Sequence, residues 1–241
     1  MKLYIVGFGA GNSGGMTLDA RSALLESGLI VGYDTYIKLL KDIFPDKEYL
    51  STGMRRERER VLIALEKARE QTVSLVCSGD PELYGMAGLA IELGADSPDV
   101  DITVVAGVSA AFSGGALLGA PLTNDVTIIS LSDLLTPREK IEKRLRFAAQ
   151  SDMVTVLYNP SSKTRADYLK RACDIFLEYR PADTVCGTAR LIGREGQETR
   201  TMTLAELRET QTDMLTTVFI GNSDTSLING KMVTSRGYRN E

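Results

Sequence analysis

The sequence predicts an α/β fold of two lobes, and three observations lead there. Short apolar runs alternate with helical stretches along the chain. Most of the runs stop at turns built from glycine, proline, serine or asparagine, with few residues before the next element. Repeated β–α units joined by short loops make an α/β architecture, and 241 residues are enough for two lobes that each bury a core.

The elements follow in order. Residues 3–6 are an apolar run ending in Gly7-Phe8-Gly9-Ala10-Gly11. Thr17 and Leu18 open a helix that reaches about Ser27, with Gly28 as its cap. Residues 29–33 read as a strand and 34–41 as a short helix. Residues 57–69 form a charged helix with Val61, Leu62 and Leu65 on its apolar face. A strand over 72–77 runs into Ser78-Gly79-Asp80-Pro81 and a helix over 84–93. A strand over 102–105 closes at Gly107 before a helix of small residues, 109–118. Residues 119–124 read as a linker, which divides the chain into domains of residues 1–119 and 120–241. Beyond it, 126–131, 153–158, 184–189 and 216–220 read as strands, and 138–149 and 164–179 as helices. Asn229-Gly230-Lys231 is a turn before a short last strand, 232–234.

Composition removes several classes of function. Histidine is absent, which excludes Ser-His and Cys-His hydrolysis and histidine metal sites. The three cysteines, Cys77, Cys173 and Cys186, are scattered, so no disulfide framework or cysteine metal cluster is expected, and a reducing cytoplasm is the plain inference. A net charge of -4 offers nucleic acid no general basic field. No run approaches the ~20 apolar residues that span a bilayer. The start of the chain reads as a buried strand, not a signal peptide.

Candidate chemistry lies at the strand ends. The first glycine loop departs from the dinucleotide fingerprint because Asn12 fills its sixth position, and Asp34 comes late for a ribose-binding acid. A nicotinamide-dependent oxidoreductase is therefore the weaker reading; glycine that only supplies a tight turn is the plain one. Gly79 lets a ligand approach the backbone and Asp80 offers it a carboxylate, while an Asx-type turn accounts for the same residues equally well. Ser109 suits a helix N-cap or the wall of a crevice. Tyr158-Asn159-Pro160 again puts polar groups just past a strand. Several such ends suggest one polar crevice. The cluster Arg55-Arg56-Glu57-Arg58-Glu59-Arg60 is usually a solvated helix face, though Gly53 and Met54 make a substrate-contacting loop an alternative.

Taken together, Gly7 to Gly11, Gly79-Asp80-Pro81 and Gly107-Val108-Ser109-Ala110 resemble the tetrapyrrole methylases in order and spacing. Residues 78–88, 118–125, 129–137, 158–162, 213–223 and 230–238 narrow the resemblance to the branch that methylates C-17 of the macrocycle, and it covers nearly the whole chain. Three positions depart from the family pattern: Ala10 and Ala106 stand where proline is usual, and Asn124 where histidine is usual. Asn124 cannot titrate, but it can still donate a hydrogen bond.

The resemblance implies two α/β domains of the tetrapyrrole methylase (class III methyltransferase) type with the cofactor cleft between them, usually in a homodimer. It implies methyl transfer from S-adenosylmethionine, leaving S-adenosylhomocysteine, to C-17 of a cobalamin precursor with ring contraction. Carried onto this chain, it marks Ala10, Gly79, Asp80, Leu83, Ser109, Ala110, Tyr158, Asn159, Thr188 and Thr216 for the cofactor. Asp125 and Tyr158 are the candidates for proton transfer, and Arg55, Arg56 and Arg165 for the substrate's carboxylates. No metal, nucleic acid or membrane is expected at the site. Other expectations of the same fold are methylation of another corrin carbon or a non-tetrapyrrole acceptor, or ligand binding without turnover.

Overall fold

The structure is a computed structural model that describes residues 1–162 and 165–238. The chain forms two compact units, Met1–Ala110 and Ala111–Glu241.

The first unit is built on five parallel strands in the order β3-β2-β4-β1-β5: β1 (Lys2–Gly7), β2 (Leu29–Tyr33), β3 (Glu48–Thr52), β4 (Val73–Cys77) and β5 (Asp101–Val105). Alternate residues of a strand face opposite sides of its sheet, and the sequence uses both sides. Leu3, Ile5, Val31 and Leu75 pack with Val61, Ala64 and Leu65 of α3 (Glu57–Lys67) and with Ala87 and Ala90 of α4 (Ala87–Gly94). Tyr4, Val6, Ile30 and Val76 pack with Ala20, Ala23 and Leu24 of α1 (Leu18–Glu26) and with Ile37 and Leu40 of α2 (Asp34–Ile43). Neighbouring strands β1 and β4 therefore send their helices to opposite faces. Their carboxyl ends form a topological switch point, where α/β sheets open a crevice for ligands.

The second unit has a five-stranded sheet in the order β10-β9-β11-β8-β7. Strands β7 (Val126–Ser130) and β8 (Val154–Tyr158) are parallel. Strands β9 (Val185–Arg190), β10 (Glu198–Thr203) and β11 (Thr216–Ile220) join antiparallel. One face, with Leu157, Cys186, Val218 and Ile220, packs on α6 (Arg138–Gln150), α7 (Tyr168–Leu177) and α8 (Leu204–Glu209). The other receives α5 (Ala110–Leu118): a Cβ on Gly114 would lie only 3.0 Å from Phe219 and 3.1 Å from Ala189. Strands β6 (Gly119–Ala120), β12 (Thr225–Ile228) and β13 (Lys231–Thr234) make a small third sheet. Asn229 and Gly230, both at positive φ, form the hairpin turn between β12 and β13.

Several elements differ from expectation for local reasons. Residues 119–120, expected within a linker, pair with Met232 and Val233. Helix α4 begins at Ala87 because residues 82–86 form a loop closed by the Ala87 N–H on the Pro81 carbonyl. Gly28 is not a left-handed cap: the Ser27 N–H on the Ala23 carbonyl closes α1, and a Cβ at Gly28 would meet the Gln71 side chain at 2.2 Å. Thr164, the expected start of α7, lies outside the described residues, and the helix is seen from Tyr168.

Candidate functional site

Three turns converge at the carboxyl ends of β1, β4 and β5. Gly9 and Gly79 exchange backbone hydrogen bonds of 3.1 and 2.7 Å. A Cβ on Gly107 would lie 2.1 Å from the Gly79 carbonyl oxygen and 2.4 Å from that of Gly7. Glycine is required at 107 because backbone packs on backbone there. Gly79 has φ +70°, which favours glycine for a different reason. Asp80 bolts the turns together. Its Oδ1 accepts from the N–H of Glu82 at 2.8 Å and of Leu83 at 3.3 Å, and its Oδ2 accepts from the Gly107 N–H at 3.0 Å. The turn reading of Asp80 is thus realised, and the carboxylate also reaches across to the β5 turn. Thr17 caps α1 through the Ala20 N–H and donates its hydroxyl to the Ala106 carbonyl, binding the first helix to that same turn. Ala10 and Ser109 are buried beside these loops.

The positions expected at the cofactor in this unit, Ala10, Gly79, Asp80, Leu83, Ser109 and Ala110, therefore lie at one end of the sheet, around the switch point, the first five on its loops and Ala110 at the start of α5. Tyr84 in the same loop sits at φ +58°, a region a bulky residue occupies only when its surroundings enforce it. Cys77, at the end of β4, is buried, and burial pushes its thiol up to about 11.

In the second unit, the loops after β7, β8 and β9 and the loop before β11 share one end of the sheet. The Asn159 amide donates to Ser130 Oγ at 2.9 Å, with Asn159 at φ +54°. Tyr158 accepts the Ala111 N–H at 2.8 Å, so its phenol holds the start of α5. Thr216 donates to Asp213, which also accepts from Arg190 Nε at 2.8 Å. Thr188 and Thr216 are buried on the face of the sheet that carries Val218, whereas Tyr158 follows Leu157 and faces α5. The structure brings Tyr158, Asn159 and Thr216 to one end of the sheet, with Tyr158 on one face and the two threonines on the other.

The two proton-transfer candidates are not brought together. Asp125 precedes β7 and Tyr158 ends β8; the register pairs Val126 with Val154 and Ser130 with Tyr158, so a full strand length separates them. Asn124 accepts the Asp125 N–H at 2.8 Å and its amide lies 3.5 Å from Asp224, contacts open to an amide without titration. Arg165 is engaged inside the unit, by Ser132 at 2.8 Å, Ser162 at 3.2 Å and Asp133 at 3.5 Å. Tyr168 donates to Asp133 at 2.5 Å, and that bond holds the Asp133 carboxyl below its ordinary range.

The arginine cluster divides. Arg56 is exposed and paired with Glu59 at 2.5 and 2.6 Å. Arg55 is exposed, at φ +62°, and in no ion pair among the described residues. Arg60, unremarkable as one charge in a run of six, is buried at 3% exposure. A cavity of about 610 Å³ lined by Asp152, Arg180 and Asp183 opens at the other end of the second sheet, among the starts of β8 and β9. It contains none of the expected site residues. Among the described residues no group of acids and cysteines is arranged to hold a metal.

A parallel sheet with a glycine-packed switch point, followed by a second mixed sheet, defines an α/β protein of two sheets, and comparison with known proteins specifies it. The family model for Tetrapyrrole (Corrin/Porphyrin) Methylases matches residues 2–208, and the chain belongs to that family. It is 41% identical to the probable cobalt-factor III C(17)-methyltransferase of Salmonella typhimurium, over 98% of this chain and 99% of that protein. It is 42% identical, along its whole length, to the cobalamin biosynthesis protein CbiHC of Archaeoglobus fulgidus, of which it spans about half, 53%. Among solved structures, the methyltransferase CobJ superposes with a TM-score of 0.88 at 32% identity, covering 97% of this chain and 99% of that one.

Proposed function

We propose that this protein is an S-adenosylmethionine-dependent C-methyltransferase that acts at C-17 of precorrin-3B or cobalt-factor III, with ring contraction, in cobalamin biosynthesis. The observation that carries this reading is the 41% identity to a C(17)-methyltransferase over nearly the full length of both chains. The same reading makes it a cytoplasmic homodimer; no helix among the described residues is long and apolar enough to cross a membrane.

The residues present suit the cofactor. The switch-point turns offer small side chains at Ala10, Gly79, Ser109 and Ala110, and backbone groups held in place by Asp80. The same reading assigns Tyr158, Asn159, Thr188 and Thr216 of the second unit to it, with the two threonines on the opposite face of the sheet from Tyr158. When bound, the cofactor supplies an electrophilic methyl group on a sulfonium. The chain's own part is then alignment and the exclusion of water. Asp80 fixes the β4 and β5 turns relative to each other, and Asp213 fixes the hydroxyl of Thr216. This reading assigns the carboxylates of the acidic macrocycle to Arg55, which is exposed, and to Arg56 beside it, which is shared with Glu59.

Turnover tests the reading. Incubation with S-adenosylmethionine and either precorrin-3B or cobalt-factor III should yield S-adenosylhomocysteine and a product heavier by one methyl substitution, with a changed optical spectrum. A folded protein that binds S-adenosylhomocysteine yet converts neither substrate would remove the C-17 assignment. Binding of NADH without binding of either sulfur ligand would return the chain to the oxidoreductase reading.

A further inference from the structure

We propose that Arg60 is a positioning residue for the tetrapyrrole: it sets the turn that presents Arg55. The proposal rests on the C-17 methyltransferase reading, with Arg55 and Arg56 receiving substrate carboxylates.

Arg60 lies in the first turns of α3, 3% exposed, and pairs with no carboxylate among the described residues. Its Nε donates to Thr52 Oγ1 at 2.8 Å, and its Nη2 to the carbonyls of Thr52 at 3.3 Å and Gly53 at 2.8 Å. Its Nη1 reaches Met86 Sδ at 3.6 Å, and its Cζ lies 5.8 Å from the centre of the Tyr33 ring. One guanidinium therefore joins the chain leaving β2, β3 and β4 at the end of the sheet that carries the switch point.

A buried charge without an acidic partner keeps its desolvation cost, which its hydrogen bonds to Thr52 and Gly53 offset. What the charge holds is specific: the two carbonyls immediately before Met54 and Arg55. Arg55 is left-handed at φ +62°, a conformation that persists in a non-glycine residue only where the surroundings over-determine it. A Cβ at Gly53 would touch nothing within 4 Å, so packing does not constrain the turn from that side. Arg60 clamps its base, the Arg56–Glu59 pair clamps its far side, and Arg55 is left as the exposed cation between them. A lysine at 60 keeps the charge but not the fork that bridges a hydroxyl and two carbonyls.

The test is a double-mutant cycle in the full-length enzyme. Arg60→Lys should raise the KM for the tetrapyrrole by about tenfold, as the loss of one charge-assisted hydrogen bond does, with kcat and cofactor affinity little changed. In a background where Arg55 and Arg56 are both glutamine, already raised in KM, the same substitution should add almost nothing. Thr52→Val, which removes the hydroxyl partner and leaves the arginine, should act in the same direction more weakly, and serves if the lysine variant does not fold. An equal rise in KM with and without Arg55 and Arg56 would overturn the proposal, as would a fall in cofactor affinity that parallels the rise in KM, because both mark general structural damage. An unchanged KM in Arg60→Lys, beside a raised KM in the double glutamine variant, would overturn it and leave the substrate reading intact. An unchanged KM in the double glutamine variant would instead remove the arginines from substrate binding, and the proposal with them.

Discussion

Replacing Asp80 separates a turn from a binding site, and the structure allows the sizes to be worked out. Oδ2 makes one bond of 3.0 Å to Gly107, and Oδ1 makes one good bond of 2.8 Å to Glu82 and a longer one to Leu83. A hydrogen bond to a charged group contributes about 1.5–3 kcal/mol when buried. Asp80 is half-buried, so the two good bonds at the low end give about 2–3 kcal/mol for Asp80→Ala. In a chain of this length that lowers the melting temperature by about 5–10 °C. Asp80→Asn keeps one acceptor oxygen and should lose about half as much, because its amide cannot accept from the second set of N–H groups. The cofactor is read in the same scans. At a concentration of about 100 Kd a ligand of the folded state stabilises by about 2.7 kcal/mol, and a tenfold loss of affinity reduces that to about 1.4 kcal/mol. We expect S-adenosylhomocysteine to raise the melting temperature of Asp80→Ala by about half of what it does for the parent, because the Gly79 and Ser109 turns are no longer locked together. A variant that melts lower as calculated, yet gains the full increment from the ligand, would refute the link from Asp80 to the cofactor and leave it as a turn residue.

Gly107→Ala should prevent folding or lower the melting temperature severely, because its Cβ would meet two backbone oxygens, while Gly53→Ala should change stability by no more than about 0.5 kcal/mol; circular-dichroism melts compare them. The Tyr168 hydroxyl bond holds the Asp133 carboxyl low. A depressed folded value stabilises above the unfolded carboxylate range near about 4 and is lost as pH falls through the folded value. Tyr168→Phe should therefore cost stability at neutral pH and narrow its gap from the parent on acidification below about pH 4, with equal gaps at every pH counting against the assignment. Cys77, Cys173 and Cys186 are buried, with burial pushing the thiols up, to about 11 for Cys77 and about 12 for Cys186. A thiol reagent at neutral pH should label none of them in folded protein and all three in denaturant, and rapid labelling of any one under native conditions would contradict that burial.

What the sequence determined by itself were the elements whose signal is local. Strands β1, β2, β4, β8 and β11 are largely apolar and buried along nearly their whole length, because both faces of their sheets are covered, and such runs are legible without a partner. Thr17 as the cap of α1 and Asn229-Gly230 as a hairpin turn were legible for the same reason, since cap and turn chemistry reside in neighbouring residues. The turns at Gly7, Gly79 and Gly107, and the family they resemble, could likewise be read as motifs. Strands β3 and β10 could not: Glu48-Tyr49-Leu50-Ser51-Thr52 and Glu198-Thr199-Arg200-Thr201-Met202-Thr203 lie at sheet edges and carry too little apolar pattern, so pairing alone makes them strands. Helix α8 has six residues, too few to show a period, although its Thr203–Glu206 capping box was present in the sequence.

Tertiary structure decided the tasks of the polar residues. In sequence, Arg56 and Arg60 are two of four arginines in one run; in the fold, one is exposed and paired with Glu59, and the other is buried and bonded to Thr52 and Gly53. Asp80 read in sequence as a ligand or a turn, and the fold shows that its carboxylate also reaches the Gly107 N–H; Asp125 and Tyr158, both named for proton transfer, are set at opposite ends of β7 and β8 by their parallel register. The reason is physical. Apolar periodicity and turn chemistry are set by residues a few positions apart, whereas the work of a charge or hydroxyl depends on which distant backbone groups the topology leaves within hydrogen-bond reach.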